Sequence, residues 1–244
     1  MMPERCRADT DVAAAPDVGG GWDKEMAGLE VNIERCDRLD GAVQAKFASI
    51  YESSFPACER DATSSLVQSI ESGDRTCDVA LLNGDLVGLA VTKPFTIPGT
   101  AALEYIAVDA VRRDQGIGAL LLRNLRTRFN EGADSAVRGG GWIFEVEPPD
   151  ASEKRAERDL RRRRIGFYQR NAATIIECAP AYRAPDLERP GTLPYLLMWL
   201  PAAPSSAPPA GALLRDLVVA VLIESYELDP EDPLVGQVLD GLVC

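Results

Sequence analysis

The amino-acid sequence predicts a mixed α/β (α+β) fold, and three segments carry that prediction. An apolar, β-branched run from Leu103 to Val108 predicts a strand, and apolar residues at three- and four-residue spacing from Ile117 predict a helix after it. Two apolar runs joined by Asn83-Gly84 predict a β-hairpin over 78–92. Strands and helices thus share a chain of 244 residues, which is enough for one large domain or one domain with appendages.

The other elements follow from the same rules of periodicity. Alternation from Leu29 to Ile33 predicts a first strand, and helical spacing predicts helices from Val43 to Tyr51 and over 60–72. Later elements are strands over 142–147, 173–178 and 195–200, a helix over the charged stretch before Asn171, and C-terminal helices over 211–226 and 234–242. The predicted order is β-α-α-β-β-β-α-β-α-β-β, followed by the extra helices.

The two ends of the chain differ in composition from its middle. Residues 1–28 hold Ala-Ala-Ala-Pro and three consecutive glycines with almost no apolar periodicity, so we interpret them as a disordered tail. Residues 29–200 hold the predicted domain, and the Pro/Ala/Ser segment 201–210 is a linker. Residues 211–244 form a helical extension whose apolar stripe predicts packing on the domain or across a homodimer interface.

Composition and charge exclude several classes of partner. The net charge is −12, and nucleic-acid binding requires a basic face, so we expect no nucleic-acid partner. No apolar run is long enough to cross a bilayer, and the N-terminal residues lack the apolar core of a signal peptide. We therefore expect a cytoplasmic protein that does not associate with membranes.

Histidine and cysteine usage narrow the chemistry. Histidine is absent, which excludes His-dependent triads, His metal sites and His acid–base catalysis. The six cysteines are scattered without zinc-site spacing, so we interpret them as reduced thiols and expect no metal. Proton transfer must then use carboxylate, Tyr, Cys, Lys or water.

The turn between the Leu103–Val108 strand and the Ile117 helix carries the strongest functional signal. Backbone N–H groups at such a turn lack partners, and the helix dipole adds partial positive charge there. Gly116 and Gly118 let the backbone approach a bulky anion. The turn therefore predicts a pyrophosphate site, although it matches neither the Rossmann nor the P-loop pattern. An ordinary strand-to-helix turn is the alternative.

The sequence Arg113-Asp114-Gln115-Gly116-Ile117-Gly118, placed between this strand and an amphipathic helix, resembles the [RQ]-x-x-G-x-[GA] motif of the GNAT superfamily, the Gcn5-related N-acetyltransferases. The order of elements over 29–200 resembles the same family. The resemblance implies a central mixed, mostly antiparallel sheet of six to seven strands flanked by helices, with the C-terminal helix outside it. It also implies acetyl-coenzyme A as the cosubstrate. The implied coenzyme contacts are the backbone of Arg113, Asp114, Gln115, Gly116, Ile117 and Gly118 at the pyrophosphate, and of Ile106, Ala107 and Val108 at the pantetheine, where the fourth strand splays from the fifth.

A second segment, Phe167-Tyr168-Gln169-Arg170-Asn171-Ala172, resembles the family pattern F-Y-x-[RK]-x-G. In that pattern the tyrosine lies at the coenzyme sulfur, which implies Tyr168 as the acid that protonates the leaving thiolate. Ala172 stands where the family has glycine, and we expect Asn171 to take the left-handed conformation instead.

The base and the acceptor site are less closely defined. Glu104 is the candidate base, because alternation puts it on the face of Ile106 and Val108 and some GNAT enzymes carry their base there. Glu145 and Glu147 could instead be the base or bind a substrate ammonium, and a mechanism without a dedicated base is a third alternative. The resemblance further implies an acceptor site around the first two helices, with Tyr51, Phe55 and Glu59.

The implied function is transfer of an acetyl group to a primary amine, of a small molecule, by direct attack in a ternary complex. The Arg-rich run over 155–164 has three alternative interpretations. It is a solvated helix face, it contacts the coenzyme phosphates, or it docks an acyl-carrier protein that acts as the donor. Two alternatives therefore stay open. One is an acyltransferase with a carrier-bound or non-acetyl donor, and the other is a non-catalytic acyl-CoA-binding module.

Overall fold

The computed structural model describes residues 31–131, 140–203 and 207–243. The predicted tail over 1–28, the first two residues of the predicted first strand and part of the linker lie outside the described residues.

A seven-stranded sheet forms the centre of the molecule, with strand order β1-β2-β3-β4-β5-β9-β6. Every neighbouring pair is antiparallel except β4 and β5, which confirms the prediction of a mixed, mostly antiparallel sheet. The strands are β1 (Val31–Arg35), β2 (Thr76–Leu82), β3 (Asp85–Pro94), β4 (Thr100–Val108), β5 (Gly141–Val146), β6 (Thr174–Ile175) and β9 (Leu196–Pro201).

A small hairpin between β6 and β9 was not predicted. It consists of β7 (Arg183–Pro185) and β8 (Thr192–Pro194), each three residues long and each ending in proline. Strands this short carry no alternating pattern that sequence analysis could detect. The strand predicted over 173–178 is likewise reduced to the two residues of β6.

Helices cover both faces of the sheet. They are α1 (Gly41–Ser54), α2 (Thr63–Glu71), α3 (Ile117–Glu131), α4 (Arg155–Arg170), α5 (Gly211–Ala220) and α6 (Pro233–Asp240). Side chains of α1 and α2 pack with β2 and β3 in one buried cluster, whereas α3 and α4 share another with alternate residues of the same strands. No helix in the described ranges is long and apolar enough to cross a bilayer.

The C-terminal extension packs on the domain. Leu214, Leu217 and Leu222 are buried in the same cluster as Ile143 and Trp199 of the sheet. A single π-helical turn, Val221–Ser225, follows α5. The apolar stripe that suggested a dimer interface is thus buried within the chain.

Strands β4 and β5 pair over only three residues each. Their parallel register joins Thr100–Ala102 to residues 141–143, and β4 then continues to Val108 without pairing to β5. On its other side β4 stays paired with β3 as far as Val108. The two strands therefore diverge, and one edge of β4 faces a gap, as the resemblance implied.

A β-bulge interrupts β4 before the gap. Tyr105 lies opposite Val91 and Leu103 opposite Thr92, so Glu104 has no residue across from it. Strict alternation of side chains between the two faces fails at this position.

Candidate active site

The turn after β4 begins with a side-chain cap. The Asp109 carboxylate accepts the N–H of Val111, and the Asp109 carbonyl accepts the N–H of Arg112. Asp114 and Gly116 then adopt left-handed φ values of 63° and 77°, and α3 begins at the next residue. Alternating conformations of this kind turn successive N–H groups toward one concave surface.

The N–H groups of residues 113–119 have no hydrogen-bond acceptor among the described residues. The first paired amide of α3 is that of Leu120, which donates to the Gly116 carbonyl at 3.1 Å. Arg113, Asp114 and Gly116 are exposed. The turn therefore presents a row of free donors at a helix N-terminus, the arrangement that binds phosphate groups.

The two glycines of this turn have different roles. A Cβ on Gly116 would meet no atom within 4 Å, so its requirement is the φ of +77°. A Cβ on Gly118 would lie 3.0 Å from Cζ of Phe167. Gly118 thus allows α3 to approach α4, which is a different role from the close approach to an anion that we expected of it.

The free edge of β4 carries two of the three predicted pantetheine positions. The N–H of Asp109 donates to the Val87 carbonyl of β3 at 2.9 Å. Because backbone groups alternate along a strand, those of Ile106 and Val108 point away from β3 and toward the gap, whereas those of Ala107 face β3. Arg113 reaches this side through Nε, which donates to the Val108 carbonyl at 3.3 Å.

Tyr168 lies on α4 against the diverging part of β5. Its ring centroid is 4.6 Å from that of Phe144, the first residue of β5 beyond the paired segment. Burial raises the pKa of Tyr168, and Arg164 acts in the opposite direction. The hydroxyl bonds to no other described residue, so a neutral O–H donor remains available beside the gap.

The chain leaves α4 through a left-handed residue, but it is Ala172. Asn171 has a φ of −99°, whereas Ala172 has a φ of 70°, so the expectation for Asn171 is wrong. The side-chain amide of Asn171 instead donates to the Phe167 carbonyl at 2.8 Å. The backbone N–H of Ala173 donates to the Tyr168 carbonyl at 3.0 Å. This closure places the left-handed position one residue later, where the family pattern has glycine.

Replacing Ala172 with glycine is expected to raise the free energy of unfolding by about 0.5–1 kcal/mol. Glycine removes the steric cost of the left-handed conformation, and this gain exceeds its larger entropy loss on folding. Chemical denaturation measures the change. Ala173→Gly is the matched control, because Ala173 is buried without a positive φ and should lose stability. A loss of stability in Ala172→Gly would contradict this interpretation.

Glu104 is held in a buried ion pair. Its Oε2 lies 2.5 Å from Nε of Arg75, and Arg75 also contacts Asp61 at 3.2 Å. The Asp61 N–H donates to the hydroxyl of Tyr105, so the bulge brings Glu104 and Tyr105 to the same neighbours.

The expectation that Glu104 shares the face of Ile106 and Val108 is therefore wrong. Ile106 and Val108 pack toward the α3 cluster instead. Burial raises the pKa of the Glu104 carboxyl, and Arg75 opposes that change. Because Arg75 occupies the carboxylate, Glu104 is poorly placed to accept a proton from a substrate.

Glu59, Glu145 and Glu147 lie within electrostatic reach of one another. Both carboxylate oxygens of Glu145 accept hydrogen bonds. The Tyr182 hydroxyl donates to Oε1 and the Tyr226 hydroxyl donates to Oε2. Burial is the main cause that raises the pKa of Glu145 to about 7. Burial and the nearby Glu147 likewise raise the pKa of Glu59 to about 7. Sequence analysis did not identify Tyr182 and Tyr226 as partners of Glu145, because they are 37 and 81 residues away from it along the chain.

The other two predicted acceptor residues are mainly aromatic packing. Tyr51 is fully buried and lies edge-on to Tyr105, with ring centroids 4.9 Å apart. Phe55 is half-buried, and its ring centroid lies 5.7 Å from that of Tyr51 and 5.1 Å from that of Tyr105. Tyr51 thus supports the wall formed by Phe55 and Tyr105, and its own side chain is covered.

Several arginines of the 155–164 run have partners within the chain. Arg161 and Arg164 both pair with Glu147, the latter at 2.7 Å. Arg162 contacts Asp159 at 3.2 Å, and Arg155 contacts the same carboxylate at 3.8 Å. These ion pairs favour a structural role for this helix face over docking of an acidic carrier protein.

The cysteines differ from the sequence-based interpretation. Cys58 and Cys178 each take part in a disulfide, so the expectation of reduced thiols is wrong for them. Cys36 and Cys77 are free, and Cys6 and Cys244 lie outside the described residues. Scattered positions along the sequence could not show which thiols meet in space. Over the described ranges, no group of three or more Cys, Asp or Glu side chains is arranged to hold a metal ion.

Comparisons with known proteins agree with this geometry. Residues 44–136 match the model of a family described as the acetyltransferase (GNAT) family. The matched segment includes the turn over 113–118 but excludes Glu145 and Tyr168. No curated protein matches the chain.

Solved structures of low sequence identity share the fold. One is described as a GNAT-family acetyltransferase from Bacteroides thetaiotaomicron, with a TM-score of 0.60 and 22% identity over 81% of this chain and 99% of that one. Another is aminoglycoside 6'-N-acetyltransferase from Enterococcus faecium, with a TM-score of 0.52 and 18% identity over 73% of this chain and 99% of that one. An aminoglycoside 6'-N-acetyltransferase complexed with coenzyme A has a TM-score of 0.53, with the same identity and coverage.

Proposed function

We propose that this chain, of which residues 44–136 match the GNAT acetyltransferase family model, is a GNAT enzyme that transfers an acetyl group from acetyl-coenzyme A to a primary amine of a small molecule. The amine attacks the thioester directly while both substrates are bound. The observation that carries the proposal is the row of unpaired N–H groups at residues 113–119, next to the free edge of β4.

The residues around the gap fit the coenzyme. The free amides at the start of α3 suit the pyrophosphate, and the outward-facing backbone groups of Ile106 and Val108 suit the amides of pantetheine. Exposed Arg113 adds positive charge where a polyanion binds to an acidic protein. The coenzyme supplies the activated acetyl group, and in this proposal the Val108 N–H donates a hydrogen bond to the oxyanion.

Tyr168 protonates the departing sulfur in this proposal. Its raised pKa keeps the hydroxyl protonated at neutral pH. The hydroxyl makes no hydrogen bond to another described residue, so its proton is available to the sulfur. A thiolate is a better leaving group when a positioned acid donates a proton to it.

The acceptor site lies on the side of Glu59, Glu145 and Phe55. Carboxylates whose pKa is near 7 favour a cationic amine over an acidic or neutral acceptor. The two aminoglycoside N-acetyltransferases of the same fold act on amines of this kind, which supports a small-molecule acceptor.

Calorimetry with coenzyme A tests the binding half of the proposal. We expect binding at micromolar to low millimolar ligand, and a roughly tenfold loss in Gly116→Ala, since alanine is strained at a φ of +77°. Gly236→Ala in α6 is the matched control, because a Cβ there meets nothing within 4 Å and the site is distant in the chain. No binding at millimolar coenzyme A would remove the proposal.

A screen of primary amines, with thiol release from acetyl-coenzyme A as the readout, tests the transfer half. Turnover with at least one small amine is expected. Binding of coenzyme A without turnover on any amine would indicate the non-catalytic module, and turnover only with a carrier-bound donor would indicate the other alternative.

A further inference from the structure

Beyond the proposed function, on which the inference rests, we propose that Glu145, held by Tyr182 and Tyr226, accepts the proton of the acceptor's ammonium group. This assignment replaces Glu104 as the base. It also gives the C-terminal extension, which lies outside the family-matched segment, a part in the reaction.

The position of Glu145 in β5 suits this role. It lies two residues beyond Ile143, the last residue of β5 that pairs with β4. Phe144 points to the face of the sheet where Tyr168 packs, so alternation places Glu145 on the opposite face. Tyr168 and Glu145 thus lie on opposite faces of the sheet, next to the gap, and could serve different atoms of the reacting pair.

Glu145 also differs from its neighbours in its partners. Glu104 is paired with Arg75, and Glu147 with Arg161 and Arg164. Glu145 has only the two tyrosine hydroxyls and no Lys or Arg within 4.0 Å among the described residues. A carboxylate at this depth ordinarily has a cation as its partner, and a substrate ammonium supplies the missing charge.

Tyr226 is a positioning residue. It follows the π-helical turn, and its N–H donates to the Val221 carbonyl at 3.2 Å. Buried Val221 and Leu222 fix this turn in the core, and Glu224 accepts the N–H and hydroxyl of Thr96 at 3.0 and 2.8 Å. The extension therefore holds the Tyr226 hydroxyl rigidly against one oxygen of Glu145.

The proton balance of the proposed step is complete. The ammonium nitrogen gives one proton to the Glu145 carboxylate and attacks the thioester carbon, so a C–N bond forms. The C–S bond then breaks, and the Tyr168 hydroxyl protonates the sulfur. The second nitrogen proton returns to the tyrosinate, and Glu145 releases its proton to solvent.

Burial, two tyrosine hydrogen bonds and Glu104 determine the pKa of Glu145. Glu104 raises the pKa of Glu145, whereas the two tyrosine hydrogen bonds lower it. The groups that face Glu145 or lie within electrostatic reach of it are Tyr182, Tyr195 and Tyr226, Glu104 on β4, Glu59 before α2, Glu147 on β5, and Arg161 and Arg164 through Glu147.

An infrared titration of the unliganded protein tests the carboxyl group without any turnover. In a Glu59→Gln background, which removes the other carboxyl whose pKa is about 7, we expect the C=O stretch of a protonated carboxyl to disappear with a midpoint near pH 7, and we expect this band to be absent when Glu145→Gln is added. Tyr226→Phe removes a donor to the charged form, so the midpoint should rise by about one pH unit. An unchanged midpoint after Tyr226→Phe, or a band that persists after Glu145→Gln, each in the Glu59→Gln background, would overturn the assignment.

The pH profile of acetyl transfer, with the best amine from the acceptor screen, tests the role of the same carboxyl. In the unmodified protein kcat/KM should rise through about pH 7, because the base must be ionised. Glu145→Gln should abolish that rise and lower kcat by about 100-fold, and Tyr226→Phe should move it to higher pH. Tyr195→Phe removes a hydroxyl from the same surroundings without a bond to Glu145, so its midpoint should not move.

The two measurements separate the possible failures. An infrared band that titrates as expected, without turnover on any amine, would reject the acetyltransferase function. Turnover whose pH profile is unchanged in Glu145→Gln would retain that function and reject Glu145 as the base.

Discussion

Replacement of Tyr168 with phenylalanine is expected to lower kcat for acetyl transfer by about 100-fold or more, since the leaving thiolate then loses its acid. The affinity for coenzyme A should stay within about threefold, because the ring and its contact with Phe144 remain. Steady-state kinetics and calorimetry on the same preparation measure the two effects.

Tyr195→Phe serves as the matched control for this substitution, because it also removes one hydroxyl from a buried tyrosine. Its kcat should change by far less than that of Tyr168→Phe. Equal losses in the two variants would show that the effect comes from general loss of packing, and full activity in Tyr168→Phe would show that another group supplies the proton.

Replacement of Arg75 with methionine is expected to lower the free energy of unfolding by about 3–5 kcal/mol, because it leaves the Glu104 carboxylate buried without its cation. The side chains of Arg75 and Glu104 are only 9% and 11% exposed, so solvent cannot replace the lost partner. Denaturant unfolding at pH 8 measures the change.

The loss should depend on pH in a defined direction. Burial without Arg75 raises the pKa of Glu104 above its value in the unfolded chain, so the folded state takes up the proton more readily. The defect of Arg75→Met is therefore smaller at pH 5 than at pH 8. The double variant Arg75→Met/Glu104→Leu should recover most of the stability, and a single variant as stable as the unmodified protein would contradict the structural role of the pair.

The strand–turn–helix unit around Gly116 could be predicted because its causes are local. Apolar alternation, a left-handed glycine and an amphipathic helix lie next to one another in the chain, and their backbone groups determine the turn. The hairpin at Asn83-Gly84 is a second case, with φ values of 53° and 87° at the two turn residues. Tyr168 became the candidate acid by a different route, because the segment 167–172 resembles a short family motif.

The bulge at Glu104 shows where this reasoning stops. A prediction based on period two assumes an uninterrupted strand, but one unpaired residue moves Glu104 away from Ile106 and toward Arg75. No pattern in the sequence of β4 shows the bulge, because it arises from the register with β3. The error at Asn171 is of a different kind, because its side-chain amide donates to the Phe167 carbonyl within the same helix and the left-handed residue is Ala172.

Local sequence was thus sufficient for the mixed fold and the free amides before α3, since each element depends on residues that are close along the chain, and resemblance to a short family motif supplied the candidate acid Tyr168. The acceptor side required folding, because Glu145 meets Tyr182 and Tyr226 across 37 and 81 residues of sequence. Burial at that meeting point, with no Lys or Arg of the described residues within 4.0 Å, raises the pKa of Glu145 to about 7. Its charge and partners are therefore properties of the packed structure, and cannot be inferred from the residue type.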